Sequence, residues 1–459
     1  MSETHFDIES LTSTTDNLTS RGGIANFAQF ISAMGLPAIM GDNFSGLKKS
    51  RKGISVQDFF ASVLNWLMLG DSRHISSFED LKHDNCMAAL FNVDEIPGQD
   101  ATKRMFKKFR NSHEFKFREV LADLFLRRLK SLSPKLVVLG VDSMVMNNDD
   151  AECRMGVAPT YKKLKGYHPL QMTCNGMLID GIFRRGDRYT HEFKLTSAMI
   201  RRMVRKIRET LGDDVAIIVT MDAGYCDEKL IRYLDEDLKV GFVIAGKLYK
   251  SFKNEIGTIA EHQWSEFSSD NRHWKYMEMG YKCNKWLKYY RAVLTQIESR
   301  EDGAIYLDFA RPTSLILTNI GRNENLFHTS ALPEVQDLMT PEGLIRLFQK
   351  RGAEELCHRS LKDFGFEQLP FSQFGANMGM YHCMLIGLAA FELFKAEVLD
   401  GVIEAGHYPT TVRRKIIDVA AKITKSSRKM LLKFRDCTMD SLNLQEVWRR
   451  SFVTMRLHT

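Results

Sequence analysis

Two short β-branched runs, each ending in an aspartate, restrict what this 459-residue chain can fold into. Residues 135–141 read KLVVLGV and lead into Asp142; residues 215–221 read VAIIVTM and lead into Asp222. Neither run alternates polar and apolar residues, so each is read as a strand covered on both faces. Between them, residues 170–174 and 177–183 flank Asn175-Gly176, a strong signal for a two-residue hairpin turn. A helical pattern covers 191–211, another covers 224–235, and 240–245 reads as a third buried strand. The order strand, hairpin, helix, strand, helix, strand predicts a mixed five-stranded sheet whose first and fourth strands lie side by side and parallel. Asp142 and Asp222 then emerge at adjacent carboxyl ends, where open α/β sheets hold their sites.

A third acidic residue is supplied by residues 340–365, TPEGLIRLFQKRGAEELCHRSLKDFG. Thr340 suits an N-cap, Pro341 the first helical position, and Gly365 the C-terminal stop. Phe348, Arg351, Glu355 and Lys362 follow at spacings of three, four and seven, which put all four on one face of a continuous helix. Glu354 is rotated away by about 100°. Gly352 inside the helix costs about 1 kcal/mol relative to alanine and suggests a close approach by backbone or ligand.

Around this core the texture changes. Residues 1–20 read as a disordered tail. Residues 21–134 read as a helical N-terminal DNA-binding domain, with Lys103, Arg104, Lys107, Lys108 and Arg110 as a basic face. Residues 250–334 alternate, are rich in aromatics, and read as a β-rich insertion splitting the core into 135–249 and 335–400. Residues 401–459 are basic, with eight Lys or Arg and one Asp between Val412 and Phe434. The net charge of +7 is small for this length, so a polyanion site has to come from clustering. Arg201 and Arg205, on the 191–211 helix, and Lys162 and Lys163, in the YKKLKGYHP stretch, are the clusters considered. The eight cysteines form no C-x-x-C pair, which argues against a zinc knuckle or disulfide framework. An acidic, polar start and apolar runs too short for a bilayer predict a cytoplasmic protein with no membrane contact.

Two aspartates on strand ends and a glutamate on a helix are hard oxygen ligands. They suit two Mg²⁺ or Mn²⁺ ions about 3.5–4 Å apart, clamping an in-line phosphoryl transfer. In that reading Asp142 bridges, Asp222 and Glu355 each hold one side, and Arg351 and Lys362 meet phosphate oxygens. An unrelated α/β metalloenzyme acting on small phosphates fits the same ligands.

With these motifs in order, the sequence resembles the DDE-type insertion-sequence transposases of DDE group 1. That family carries Y-x-x-R-x-x-x-E-x-x-x-x-x-x-K on its glutamate helix, matched here by Phe348, Arg351, Glu355 and Lys362. Asp142-Ser143 and Asp222-Ala-Gly-Tyr225 match its two aspartate contexts. KGYHPL (residues 165–170) and Arg184-Arg185-Gly186 also look like family features. The resemblance implies a ribonuclease H-like core with a β-rich insertion, and Mg²⁺-dependent cleavage at terminal inverted repeats followed by joining to target DNA. It implies a homodimer on DNA, in the cytoplasm at a bacterial nucleoid. Related members stack a flipped base on an insertion tryptophan; Trp286 is the candidate, with Trp274 and Trp264 behind it. Phe348 stands where the family has tyrosine, removing a hydroxyl able to bond DNA phosphate. A catalytically inactive, transposase-derived DNA-binding protein is therefore the alternative.

Overall fold

The computed structural model describes residues 10–459, apart from 51, 151–152, 270–271, 284–285, 299–311, 322–331, 427–428, 454–456 and 458–459, and apart from the side chains of 251, 255 and 352–355. The chain divides into two compact units, one of residues 1–103 with 394–456 and one of 104–393 with 457–459.

The larger unit is built on a nine-stranded mixed sheet. Its strands, in chain order, are β1 (Leu136–Ser143), β2 (Leu170–Cys174), β3 (Met177–Ile182), β4 (Ala216–Met221), β5 (Gly241–Ala245), β6 (Ser265–Ser269), β7 (Arg272–Tyr281), β8 (Tyr290–Ile297) and β9 (Thr313–Thr318). Across the sheet the order is β6-β7-β8-β9-β5-β4-β1-β2-β3. β1 and β4 run parallel and adjacent, paired from Leu136–Ala216 to Val141–Met221, as the sequence predicts. The β2–β3 hairpin closes through Asn175 and Gly176 with φ of 47° and 79°. Two positive φ values in succession define a type I′ turn, which Asn-Gly adopts at little cost.

The sheet is wider than expected. β9 pairs antiparallel with β5, from Ile316–Ala245 to Thr318–Val243, so the 250–334 segment extends the central sheet instead of forming its own layer. Without that partner β5 would be an open sheet edge with unpaired N–H and C=O groups. The segment also opens with a helical turn, Lys250–Ile256, ahead of its strands.

Two helices carry the opposite part of the sheet: α1 (Glu114–Leu132) and α2 (Phe193–Leu211). They are joined by a buried ion cluster. Asp180 of β3, with a fully buried side chain, accepts from Arg118 Nε at 2.7 Å and from Arg202 Nη1 at 3.0 Å. Glu119 receives Arg202 Nε at 2.9 Å and Lys206 at 2.8 Å. α1 therefore belongs with the sheet, although the sequence reading places it in the N-terminal helical domain. Further on come α3 (Pro341–Lys350), α4 (Gly352–Phe364) and α5 (Phe374–Glu397). α5 is long and apolar enough to cross a bilayer, and 89% of its most apolar window is buried inside the protein.

The smaller unit joins the two ends of the chain. Asn17–Thr19 forms a strand paired with Ala421–Ile423, so the expected disordered tail is ordered there. Ala421–Ser426 pairs in turn with Lys429–Lys433. Phe394 packs against Phe27 and Phe30, with ring centroids 5.6 Å apart in each case. Arg413 is buried and donates to the Leu67 and Met68 carbonyls at 2.8 Å, satisfying the C-terminus of the Val56–Leu69 helix. The basic C-terminal segment is thus partly structural: Arg413 faces inward, and Lys422 pairs with Asp16 at 2.8 Å.

Candidate active site

Asp142 is the penultimate residue of β1, and Asp222 directly follows β4. The last pair in the parallel register is Val141–Met221, so the two carboxylates occupy the next step on adjacent strands. Each folds one oxygen back onto the chain beyond it. Asp142 Oδ1 accepts the Ser143 N–H at 2.7 Å, and Asp222 Oδ1 accepts the Gly224 N–H at 2.8 Å. Both residues are half-buried.

Two tyrosines report the negative field between them. Burial is the main reason the Tyr161 phenol is pushed up, and Asp142 and then Asp222 push it further. Tyr225 is also raised chiefly by burial, next by Asp142, with Arg184 opposing and Asp222 adding. One phenol feeling both carboxylates, twice over, is what a converged pair produces. The Tyr225 hydroxyl is buried; Ser143 is close enough to bias it but is not in bonding geometry.

Behind Asp142 lies a bonded support. His168 is fully buried, with Nε2 2.9 Å from Ser143 Oγ and Nδ1 2.9 Å from the Arg188 carbonyl. A carbonyl only accepts, so Nδ1 carries the proton, and Nε2 accepts from the Ser143 hydroxyl while the ring is neutral. Burial holds it neutral by lowering its pKa. Arg184 Nε donates to the His168 carbonyl at 2.8 Å, and Arg184 Nη1 to that of Tyr189 at 3.1 Å. Side chains at Gly166 or Gly186 would collide with the Met146, Gly166 and Ala158 carbonyls, so close backbone packing requires both glycines. The KGYHPL and R-x-G stretches are therefore the scaffold of the first aspartate. Sequence reasoning flagged both motifs, but not the Ser143–His168 contact that connects them.

The helix expected over 340–365 is two helices. α3 is capped as read, with Thr340 Oγ1 accepting the Gly343 N–H at 3.1 Å and Pro341 in the first turn. It stops at Lys350. Arg351 has φ −58° and ψ −27°, and its N–H reaches back only three residues, to Phe348, at 3.3 Å. That is a tightened 3₁₀-type turn, next to the glycine that weakens the helix. The spacing of three still brings Phe348 and Arg351 together across the junction. Phe348 is partly buried on the apolar cluster of Trp274, Tyr276, Val293, Ile316 and Leu344, and Arg351 sits 5.4 Å over its ring. Arg351 Nη1 is buried without a hydrogen-bond partner.

Within α4, Glu355 and Lys362 remain seven apart on one helix face. The Glu355 side chain lies outside the described residues. Lys362 pairs with Glu367 Oε1 at 2.7 Å, and the same oxygen accepts the Asn147 N–H at 3.2 Å. Asn148 bonds both Glu367 O and the Leu369 N–H, at 3.2 and 3.0 Å. The segment after α4 is thus tied to the loop that leaves β1. Lys162 is near enough to that helix for its charge to help lower the pKa of His358, after burial and Lys362.

The remaining candidates divide by exposure. Arg201 and Arg205 point outward from α2, Arg205 alongside Glu209 at 3.4 Å, while Arg202 and Lys206 serve the ion cluster. Lys162 and Lys163 lie on an exposed turn, Lys163 with φ 61°. Trp286 is half-buried, edge-on to Tyr281 and Tyr290 at 6.1 and 5.8 Å. Trp274 is buried and stacked on Phe267 at 5.6 Å, so it is core and not a platform for a base. Trp264 is partly exposed.

Carboxylate oxygens held half-exposed at neighbouring strand ends are hard donors and fit a small divalent cation. Among the described residues no group of three His, Cys, Asp or Glu converges.

The mixed α/β sheet brings two aspartates to adjacent carboxyl ends, and the segment after α4 is tied to the loop that leaves β1. The sequence matches the transposase DDE domain group 1 family over residues 10–450, and the chain belongs to that family. Among solved structures it is similar to a piggyBac transposase in a synaptic complex with hairpin DNA, at 12% identity and a TM-score of 0.43, covering 96% of this chain and 85% of that one. No curated protein matches the sequence.

Proposed function

We propose that this chain is a DNA transposase that cleaves strands at the ends of its element and joins them to target DNA. The observation that carries the reading is the placement of Asp142 and Asp222 one step beyond the Val141–Met221 pair. The β1–β5 part of the sheet is read as a ribonuclease H-like core extended by β6–β9. Asp142, Asp222 and Glu355 are the residues that would hold Mg²⁺ or Mn²⁺, two ions in this reading. When bound, the metal supplies Lewis-acid stabilisation of charge on phosphate oxygens.

The chain's own groups have definable tasks. Ser143 and His168 fix the backbone and rotamer next to Asp142. Arg351, Lys362, Lys162 and Lys163 offer positive charge to the phosphates that enter. Arg201 and Arg205 form an outward basic face for DNA away from the carboxylates. Trp286 remains the candidate platform for an extruded base, its flipping cost offset by stacking. The partners are element ends and target DNA, handled by a homodimer, in a cytoplasmic setting.

The alternative, an inactive DNA-binding descendant, rests on Phe348. Its ring packs on the apolar cluster and carries Arg351 above it, and both roles are filled by a phenyl ring without a hydroxyl. That observation favours the active reading. The test is a cleavage assay with Mg²⁺ on duplexes bearing the element's own ends. Asp142→Asn, Asp222→Asn and Glu355→Gln should each abolish nicking and leave end binding intact. Nicking at the wild-type rate by any one of them removes that residue from the site.

A further inference from the structure

The outward face of α2 carries more than Arg201 and Arg205. Lys194, Arg201, Arg205 and Arg208 follow at spacings of seven, four and three, so they form one stripe along the helix. Three open depressions lie along that stripe, of about 1080, 490 and 420 Å³. The first two share Ile182 and Leu195, and the last two share Arg201 and Arg205, so they make one continuous groove. From Lys194 to Arg208 it follows the helix for about 21 Å, at about 1.5 Å per residue. Its widest end abuts the scaffold of the first aspartate. Arg188 lines that end, and the Arg188 carbonyl bonds His168, whose ring reaches Ser143.

The groove is basic along its length. Arg110, Arg184, Arg185, Arg188 and Lys194 line the widest depression, against one acid, Glu192. Four arginines and, among the described residues, no acid line the middle one. Two of those four, Arg118 and Arg202, are already matched by Asp180 and Glu119. The outer cations are held more loosely. Arg185 and Arg205 pair with the exposed carboxylates of Asp187 and Glu209 at 3.3 and 3.4 Å, contacts that a phosphate displaces at little cost.

In the middle depression stands Phe115, the second residue of α1, with 58% of its surface exposed. A lone exposed ring is ordinary. This one is set in place: the Arg202 guanidinium lies 5.7 Å from its centroid and is itself fixed by Asp180 and Glu119. A fixed aromatic face among phosphate-binding cations is suited to unpaired nucleotides, whose backbone follows the charges while a base stacks on the ring. A duplex keeps its base faces in its own stack and would leave the ring idle. An acidic peptide matches the charge but not the flat ring.

We propose that this groove binds single-stranded DNA, with Phe115 stacking a base and Arg188, Lys194, Arg201 and Arg205 holding phosphates. The choice of DNA rests on the transposase reading; the preference for unpaired bases rests on the groove.

The experiment follows the anisotropy of a fluorescent oligothymidylate of about ten nucleotides, in EDTA so that no cleavage intervenes, and repeats it with a duplex of equal length. Phe115→Ala should weaken single-strand binding about 5–100-fold and leave duplex binding unchanged, while Phe115→Trp restores it. Arg201→Ala, at a second exposed position, should lower the salt dependence of single-strand binding by about 0.7 in logarithmic slope. Thermal melts of all three variants check the fold. Single-strand binding by Phe115→Ala at the wild-type level, or an equal loss on single strand and duplex, overturns the proposal. So does polyglutamate displacing the oligonucleotide as well as unlabelled oligothymidylate does. Nicking of the element-end duplex with Mg²⁺ is measured alongside. Single-strand binding that depends on Phe115, without nicking, removes the cleavage reading and leaves the groove; nicking without single-strand binding does the reverse.

Discussion

The aspartates themselves were legible because each closes a run of apolar residues, and a charge at the end of a buried strand has nowhere to point but outward. What holds them was not legible. Ser143 and His168 are separated by 25 residues and meet only because β1 and β2 pair, with Asp142 opposite Gln171. His168→Phe should keep the fold's apolar volume but release the Ser143 hydroxyl. The expected result is a loss of about tenfold in the rate of Mg²⁺-dependent nicking with little change in DNA affinity; an unchanged rate would leave His168 a packing residue. His358 offers a second test, through pH. Its folded pKa is about 4, below the ordinary 6.5, so the unfolded chain takes up that proton first as pH falls. The stability it contributes is complete above about pH 6.5 and drains away towards pH 4, by about 3 kcal/mol if the whole shift is expressed. His358→Gln should flatten that part of the pH–stability curve relative to wild type. Parallel curves for the two proteins would show that burial does not depress the imidazole.

Spacing was a good guide to elements and a poor guide to their joins. The hairpin at Asn175-Gly176, the parallel β1–β4 pair and the Thr340 cap all follow from local chemistry, and all were readable. The break at Arg351 was not, because a glycine in a helix signals weakness without fixing where the chain yields. The β5–β9 pairing was hidden for another reason: an edge strand accepts any compatible partner, and the sequence does not name it. α2 shows how one basic helix divides. Arg202 and Lys206 are spent on Glu119 and Asp180, while Arg201 and Arg205 face outward. Asp180 has a fully buried side chain and bonds two guanidinium groups, so its removal leaves the largely buried Arg118 without its carboxylate partner and takes one of two from Arg202. Asp180→Ala should cost about 3–5 kcal/mol in chemical denaturation, whereas Arg205→Ala should cost under about 0.5 kcal/mol and weaken DNA binding. Equal stability of the two variants would mean that the cluster is not a structural joint.

At the scale of the whole chain, contacts join segments that sequence order separates. The N-terminal helices and the basic C-terminal segment read as separate regions, but residues 1–103 and 394–456 form one unit. Contacts that join chain ends leave no periodic trace: Asn17–Thr19 is too short to register as a strand, and Arg413 looks like any residue of a basic face until its helix-capping bonds are seen. The consequence can be measured by removing residues 401–459. That truncation takes away the strand partner of Asn17–Thr19, the side chains of Met430, Leu432 and Phe434 that line a cavity with Ala25 and Leu90, and the guanidinium that satisfies the Leu67 and Met68 carbonyls. Hydrogen exchange should then show protection lost across the Ile24–Ala33 and Val56–Leu69 helices, while the amides of β1, β2 and β4 exchange as slowly as in the full chain. Retained protection in both helices would mean that the N-terminal region folds without the C-terminal segment. Exchange throughout the sheet as well would mean that the two units unfold as one cooperative body.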